Sequence, residues 1–387
     1  MKIVQIPPFD YHPRTRVVFG PGSLARLGRL VAELGGRRVL LVTDSGLRDV
    51  GYESRATTLL READLEPIVF ADVRPSPTTE DVERGTAFAR AEQVDFIVGL
   101  GGGSCQDCAK GINFLLTNGG RMEDYWGSEK AKHPLLPLIA VPTTAGTGSE
   151  AQSYAVISQA VTHVKMACGD KKAAPRVAIL DPELTLTMPA AVTAVTGIDA
   201  ISHAVESHVT RQRTPVSAEF SRRAWRLLHA AFPQVLATPK DLSARGAMLL
   251  GAHYAGTAIE NSMLGATHAL ANPLSARFGL THGIVIGILL PHVIRYNAPV
   301  CGALYAELEA DAGWPKSESP GIALAGWIEK QVAIAGSPTS LKACELIRTD
   351  EMLHELAADA ATQWTGRANP RLCAPSDFAS LYRFAGF

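Results

Sequence analysis

Residues 96–110 read FIVGLGGGSCQDCAK: an apolar run breaks into three consecutive glycines and then into a stretch that favours a helix. A strand that ends in glycines and turns into a helix is a phosphate cradle. Glycine lets the backbone approach a pyrophosphate closely, while the free N–H groups and the positive end of the next helix attract its charge. Asp107 and Lys110 fall in the first turns of that helix. The spacing is not a Rossmann fingerprint, because Ser104 breaks the GxGxxG pattern begun by Gly99 and Gly101, and the acids downstream, Glu123 and Asp124, follow a polar turn instead of a strand. The better-placed acid lies upstream. Asp44 follows the strand-like RVLLVTD, where it would accept hydrogen bonds from an adenosine ribose and repel the extra phosphate of NADP.

Working outward, short β-branched runs at 38–42, 68–70, 96–100, 138–141 and 177–180 predict strands. Between them lie helical patterns such as 79–90, which opens on a threonine cap and acidic first-turn residues. That alternation predicts a parallel α/β sheet. The segment PTTAGTGSE, 142–150, again follows an apolar strand and would suit a second set of cofactor contacts. After DPELTLTMP, with Pro182 and Pro189, the apolar period changes to 3.6, which places a boundary near Met188: an α/β domain over 1–188 and an all-helical domain over 189–387. Helices are expected at 217–228, 244–259, 264–278 and 322–333. The apolar segment 283–290 is too short to cross a bilayer and is expected to close at Pro291 and His292.

Three helical-domain stretches carry metal-ligand chemistry. In TGIDAISHAVESHV, Asp199 and His203 are four residues apart, so both project from one helix face and can clasp one ion, with Glu206 on the same side. His268, in LGATHALANPL, and His282, in THGIVIGILLP, sit in apolar surroundings. Burying several imidazoles without partners is unfavourable, and a shared cation with one carboxylate satisfies them. His208, His229, His253, His292 and His354 read as structural. The pair Cys105 and Cys108 forms a CxxC with no second pair to complete a zinc site, and reads as small-residue packing within the phosphate turn.

Composition sets the frame. The chain has 387 residues, 47% hydrophobic and 19% charged, a globular balance long enough for two cores. A net charge of -1 without a basic stripe argues against a nucleic-acid partner. Six sparse cysteines fit a reducing compartment, and MKIVQIPPFDYH lacks the uninterrupted apolar run of an export signal, so a cytoplasmic, membrane-free enzyme is expected.

Together GGGSCQDCAK, PTTAGTGSE, the Asp199/His203 pair and the fourteen-residue spacing of His268 and His282 resemble the iron-containing (group III) alcohol dehydrogenase family, as do the connectors VAILDPELTLTMP and HGIVIGILLPHVIRYN. The resemblance runs nearly the whole length. It implies an N-terminal α/β nucleotide-binding domain and a C-terminal helical domain of the dehydroquinate synthase-like architecture, with the active site in the cleft between them. It implies metal ligation by Asp199, His203, His268 and His282, and a cofactor surrounded by Asp44, Gly101, Gly102, Ser104, Asp107, Thr143, Thr144, Thr147, Gln152, Val156 and Lys165. The implied reaction is NAD(H)-linked hydride exchange with an alcohol or aldehyde whose oxygen a divalent ion polarises, Fe(II) by family habit with Zn as the other metal. A homodimer or larger assembly is implied as well. The alternatives are a glycerol or other polyol dehydrogenase and a dehydroquinate synthase-type lyase, the latter disfavoured by apolar metal-proximal segments where an anionic substrate would need basic groups. One departure is visible: many relatives have a further histidine four residues after the third ligand, and this chain has Asn272, which cannot act as an acid or base near neutral pH.

Overall fold

The computed structural model describes residues 7–346 and 348–387. The chain forms two compact units, Pro13–Met188 and Pro189–Phe387, the second also taking the N-terminal segment that ends at His12. That segment differs from the expectation that everything up to 188 belongs with the sheet. The reason is local: the Tyr11 ring packs 6.2 Å from that of Phe220 in the helical unit.

The first unit is built on a six-stranded parallel sheet of β1 (Arg16–Phe19), β2 (Arg38–Val42), β3 (Glu66–Phe70), β4 (Phe96–Gly101), β6 (Leu138–Pro142) and β9 (Val177–Leu180), in the order β1-β9-β6-β4-β2-β3. Alternation along each strand feeds two cores. Val39 and Leu41 point into one with Leu27, Leu30 and Leu60, whereas Leu40 and Val42 point into the other with Val82, Ala109 and Ile112. The first core therefore covers α1 (Leu27–Glu33) and α3 (Tyr52–Arg61), reached after the short α2 (Ser45–Asp49); the second covers α4 (Thr79–Ala91) and α5 (Gly103–Asn118). The five expected strands and the helix at 79–90 are present; the cap is Thr78, whose N–H donates to Asp81 Oδ2 at 2.8 Å. The expected parallel sheet is present, and the unit carries a second, smaller one. The short β5 (Gly127–Ser128) joins a separate mixed sheet in which β7 (Tyr154–Ser158) and β8 (Lys165–Gly169) pair antiparallel.

Strand order reverses between β2 and β4: the chain leaves β2 for β3 on one side and returns to β4 on the other. A crevice at the carboxyl ends of strands flanking such a switch is where doubly wound sheets bind ligands.

The second unit is helical: α6 (Ala190–Val209), α7 (Pro215–Ala237), α8 (Leu242–Glu260), α9 (Ala266–Phe278), α10 (His282–Asp311), α11 (Ile322–Ile334), α12 (Asp350–Thr362) and α13 (Pro375–Phe384). The apolar segment at 283–290 does not close at Pro291. α10 runs through Pro291 and Pro299 and is distorted only at Cys301, where φ is -130° and ψ 23°. Burial of Ile286 to Leu290 before Pro291 and of Val293 and Ile294 after it outweighs one lost backbone bond, about 3 kcal/mol. By length and composition α10 could cross a membrane, but most of its apolar window is buried in the unit, as in a core helix.

Candidate functional site

The glycine turn takes the form its residues require. β4 ends at Gly101, whose φ of 148° is open to glycine and strained for other residues, and Gly102 precedes α5. Gly103 opens the helix in tight contact, since a Cβ there would lie 2.6 Å from Thr147 Cγ2. One built on Gly102 would lie 3.3 Å from Thr144. Thr143 N–H donates to Gly101 O at 3.1 Å, and Gln152 Nε2 donates to Thr147 O at 2.9 Å. The threonine loop is thus laid against the turn with only glycine-sized space between them.

Asp44 follows β2 and caps α2, its Oδ1 accepting from Leu47 N at 3.1 Å. Its Oδ2 accepts from the Cys105 thiol at 3.3 Å, so residues from the ends of β2 and β4 meet. Burial, reinforced by Asp44, pushes the Cys105 thiol well up, and burial pushes Cys108 above its ordinary range. Neither is a thiolate. Ser104 Oγ accepts from Ser76 N at 3.2 Å. Asp107 Oδ1 accepts from Ser149 Oγ at 2.6 Å, and a Val156 backbone bond and the Lys165 charge also act on that carboxyl. Asp44, Ser104, Thr143, Thr144, Thr147 and Gln152 lie about the β4–α5 turn and the loop laid against it, while Val156 and Lys165, on β7 and β8, act on Asp107. Sequence reasoning left out Ser149 and gave Lys110 no partner. Lys110 Nζ, fully buried, donates to Ser149 O, Ser149 Oγ and Tyr154 O at 2.7, 2.8 and 2.8 Å.

In the helical unit one face of α6 presents Asp199, His203 and Glu206, at 6%, 6% and 4% exposure. α9 brings His268 and the first residue of α10 is His282. Glycines permit both approaches: a Cβ on Gly283 would fall 2.2 Å from Val195 O of α6, and one on Gly265 would fall 2.9 Å from Glu206 Oε1. Asp199 Oδ1 lies 3.4, 3.6 and 3.8 Å from the Nε2 atoms of His203, His268 and His282. The two imidazole Nε2 atoms of His203 and His268 are 3.1 Å apart. Asp199, His268 and His282 offer ligand atoms all within 4.8 Å of one another, and His203 adjoins this set through Asp199 and His268.

These separations test whether a cation fits. Ligand bonds of about 2.1 Å that diverge by about 90–130° leave their donor atoms about 3.0–3.8 Å apart. The observed distances span that range. Asp199 Oδ1 is buried and, among the described residues, accepts no hydrogen bond of good geometry, although three ring nitrogens face it. Burial opposes ionisation of Asp199, but the three histidines outweigh it and hold the carboxyl well below the ordinary range. Burial likewise opposes a positive His268, but Glu206 and Asp199 raise it to about 9. The pocket draws in positive charge, and one carboxylate with three imidazoles suits a divalent first-row metal.

Away from this cluster, His208 Nδ1 pairs with Ser221 Oγ at 3.0 Å. Asn272, one turn beyond His268, donates to Gln363 Oε1 at 3.1 Å. Sequence reasoning placed Glu206 on the ligand face but gave it no partner; it receives His268 Nδ1 at 2.5 Å and Thr267 N at 2.8 Å. Its signal was present, since positions 199, 203 and 206 fall on one helical face.

A strand-to-glycine-to-helix turn at a topological switch, together with a carboxylate and imidazole cluster in a helical unit, defines a nucleotide- and metal-binding enzyme class. Residues 13–182 match the model of the iron-containing alcohol dehydrogenases, and residues 193–386 match that of the Fe-containing alcohol dehydrogenase family's C-terminal region. The chain is 33% identical to the NAD-dependent methanol dehydrogenase of Bacillus methanolicus, over 95% of this chain and 97% of that one. To the 1,3-propanediol dehydrogenase of Klebsiella pneumoniae it is 35% identical, over 97% and 98%. A solved 1,3-propanediol oxidoreductase superposes with a TM-score of 0.93 at 34% identity, over 98% of this chain and all of that one. The chain belongs to the iron-containing alcohol dehydrogenase family. It is an oxidoreductase that works with NAD and a metal on alcohols or aldehydes.

Proposed function

We propose that the chain interconverts short aliphatic alcohols or diols and their aldehydes, with the metal on Asp199, His203, His268 and His282 and NAD(H) on the β4–α5 turn. The observation that carries this is the Asp199 carboxylate oxygen, buried and faced by three imidazole Nε2 atoms at 3.4–3.8 Å. When bound, the ion supplies Lewis-acid polarisation of the substrate oxygen and the nicotinamide supplies the hydride acceptor or donor.

The protein's part is placement. Asp199 supplies the one ligand carboxylate, and the histidines remain neutral donors when a cation replaces the proton they would otherwise share. Gly101, Gly102 and Gly103 leave the backbone N–H groups open to a pyrophosphate, and Ser104, Asp107, Thr143, Thr144, Thr147, Gln152, Val156 and Lys165 frame that turn. Asp44 takes the ribose hydroxyls. Asn272 holds no labile proton near neutral pH, so the proton exchanged with substrate travels through solvent or another group.

A diol substrate is favoured by one further observation: Asn272 and Gln363 form an amide pair one turn from His268, which suits a second hydroxyl. The relatives named for methanol and for 1,3-propanediol bracket that size range. Free thiols at all six cysteines support a cytoplasmic setting, and we infer a dimer or larger assembly from the family resemblance, against which a monomer mass by light scattering would count.

The test is NADH oxidation with short aldehydes and hydroxyaldehydes, on enzyme loaded anaerobically with Fe(II) or Zn and on chelated enzyme. Turnover that needs metal is expected, with the rate order naming the substrate. Equal turnover by the chelated enzyme would end the metal assignment. Asp44→Gly should relax discrimination against NADP by about tenfold, the worth of roughly one hydrogen bond to a charged group; unchanged selectivity would show that another residue reads the ribose.

A further inference from the structure

Glu206 lies outside the four-ligand set, yet the start of α9 is organised around it. Gly265, which precedes that helix, offers no side-chain cap, and the first two helical N–H groups are satisfied from elsewhere in the unit. Ala266 N donates to Asn369 Oδ1 at 3.1 Å and Thr267 N to Glu206 Oε1 at 2.8 Å. Asn369 is itself locked in a reciprocal amide pair with Asn297, at 3.0 and 2.8 Å. A Cβ at residue 265 would meet both caps, 2.9 Å from Asn369 Oδ1 and 2.9 Å from Glu206 Oε1. The glycine is there because the two side chains press against the backbone.

The remaining oxygen of Glu206 faces His268 Nδ1 at 2.5 Å. An ionised carboxylate only accepts, so Nδ1 must carry the hydrogen and the Nε2 lone pair is left toward Asp199. We propose that Glu206 is the positioning residue of the metal centre, setting both the tautomer and the orientation of His268 through one carboxylate that also caps α9. The proposal rests on the reading of His268 as a metal ligand.

Thr267 makes the glutamine variant decisive. Its N–H requires an oxygen, so Glu206→Gln keeps Oε1 there and turns its NH₂ toward His268. Nδ1 must then accept, the proton moves to Nε2, and the lone pair that would bind the metal is lost. Glu206→Gln thus retains the helix cap and inverts the tautomer, which separates positioning from packing.

The experiment loads the full-length enzyme with zinc or cobalt(II) and follows metal release to a chelator, together with the visible absorption of the cobalt form. Glu206→Gln is expected to weaken metal binding by about 10–100-fold, as loss of such a partner does elsewhere, and to change the cobalt spectrum. Its NADH affinity should equal that of the unaltered enzyme. Wild-type metal retention with an unchanged cobalt spectrum would overturn the proposal. His268→Ala is the control: if it too keeps its metal, the ligand reading falls first, whereas loss there with retention in Glu206→Gln refutes only the positioning role. Should Glu206→Gln fail to fold, Gly265→Ala keeps the carboxylate and displaces it; faster metal release is expected, and an unchanged rate would refute the proposal.

Discussion

Lys110 in the α/β unit and Asp199 in the helical unit are both charged groups withdrawn from water, and their surroundings answer them differently. Three oxygens of the threonine loop and β7 take the Lys110 ammonium at 2.7–2.8 Å, one for each of its three donors. Asp199 Oδ1 has three partners too, but none is closer than 3.4 Å. Burying an ion is tolerable only when its bonds are completed. Lys110 is complete, which makes it a pin between α5 and the loop. Asp199 is incomplete, and the spacing of its neighbours matches a shared cation. A buried charge with short, saturated bonds marks structure; one ringed at ligand-to-ligand distances marks a site.

The sharpest way to break that contrast is to remove one nitrogen from the incomplete set. His282→Ala should lose the metal and, with it, several kcal/mol of stabilisation of developing charge, about three orders of magnitude in kcat/KM. Metal content and turnover are measured on the same preparation, and NADH affinity should hold. A variant that keeps full activity without metal would remove the distinction between the two charges.

The converse change strikes the complete set. Lys110→Met leaves Ser149 O, Tyr154 O and the Asp107 carboxyl without their cation. Burial raises Asp107 already, against the pull of Lys110, so the carboxyl will move further toward the neutral form. A loss of about 3 kcal/mol is expected, as for other broken buried pairs, together with weaker NADH binding as the threonine loop loosens. Differential scanning calorimetry and NADH fluorescence titration read the two effects. Metal content should match the unaltered enzyme, and a fall in it would show that the pin serves more than its own unit.

How legible these features were depended on whether they were local. Asp199, His203 and Glu206 share a face by helical period alone, and β2 and β9 announce themselves by the unbroken aliphatic runs at 39–42 and 177–180. β1 did not, because as the sheet's edge it buries only Val18 of its four residues and leaves Val17 and Phe19 outside. Pro291 looked like a terminus because the burial that sustains α10 comes from other helices. The roles of Glu206 and Lys110 were hidden for the same reason: each depends on a backbone N–H or carbonyl supplied by a distant segment, Thr267 for one, Ser149 and Tyr154 for the other. Residue type told which groups could act; only tertiary placement told which were already satisfied.

The smallest effect concerns a histidine outside the metal set, hydrogen-bonded through one ring nitrogen. His208 pairs with Ser221 Oγ at 3.0 Å and lies 3.4 Å from Glu307 Oε2. Burial lowers its pKa; Glu307 pulls the other way, while Arg213 and Arg222 add to the lowering, and the net shift is downward. An unfolded chain therefore takes up a proton near its ordinary pKa of about 6.5 that the folded chain resists. Stability from this residue is intact above that pKa and drains away as pH falls toward the folded value. His229 and His292, also lowered by burial, contribute with the same sign, so a single melting curve cannot isolate His208. The comparison with His208→Gln can, because Glu307 keeps Arg213 and Arg222 as partners in the variant. Between pH 7 and pH 5 the melting temperature of the unaltered enzyme should fall more steeply than that of His208→Gln, whatever the offset between them. Parallel slopes would mean that Glu307 stabilises the charged imidazole enough to cancel its burial, and His208 would then join Lys110 as a completed ion pair instead of standing apart from both charges as a neutral hydrogen-bonded ring.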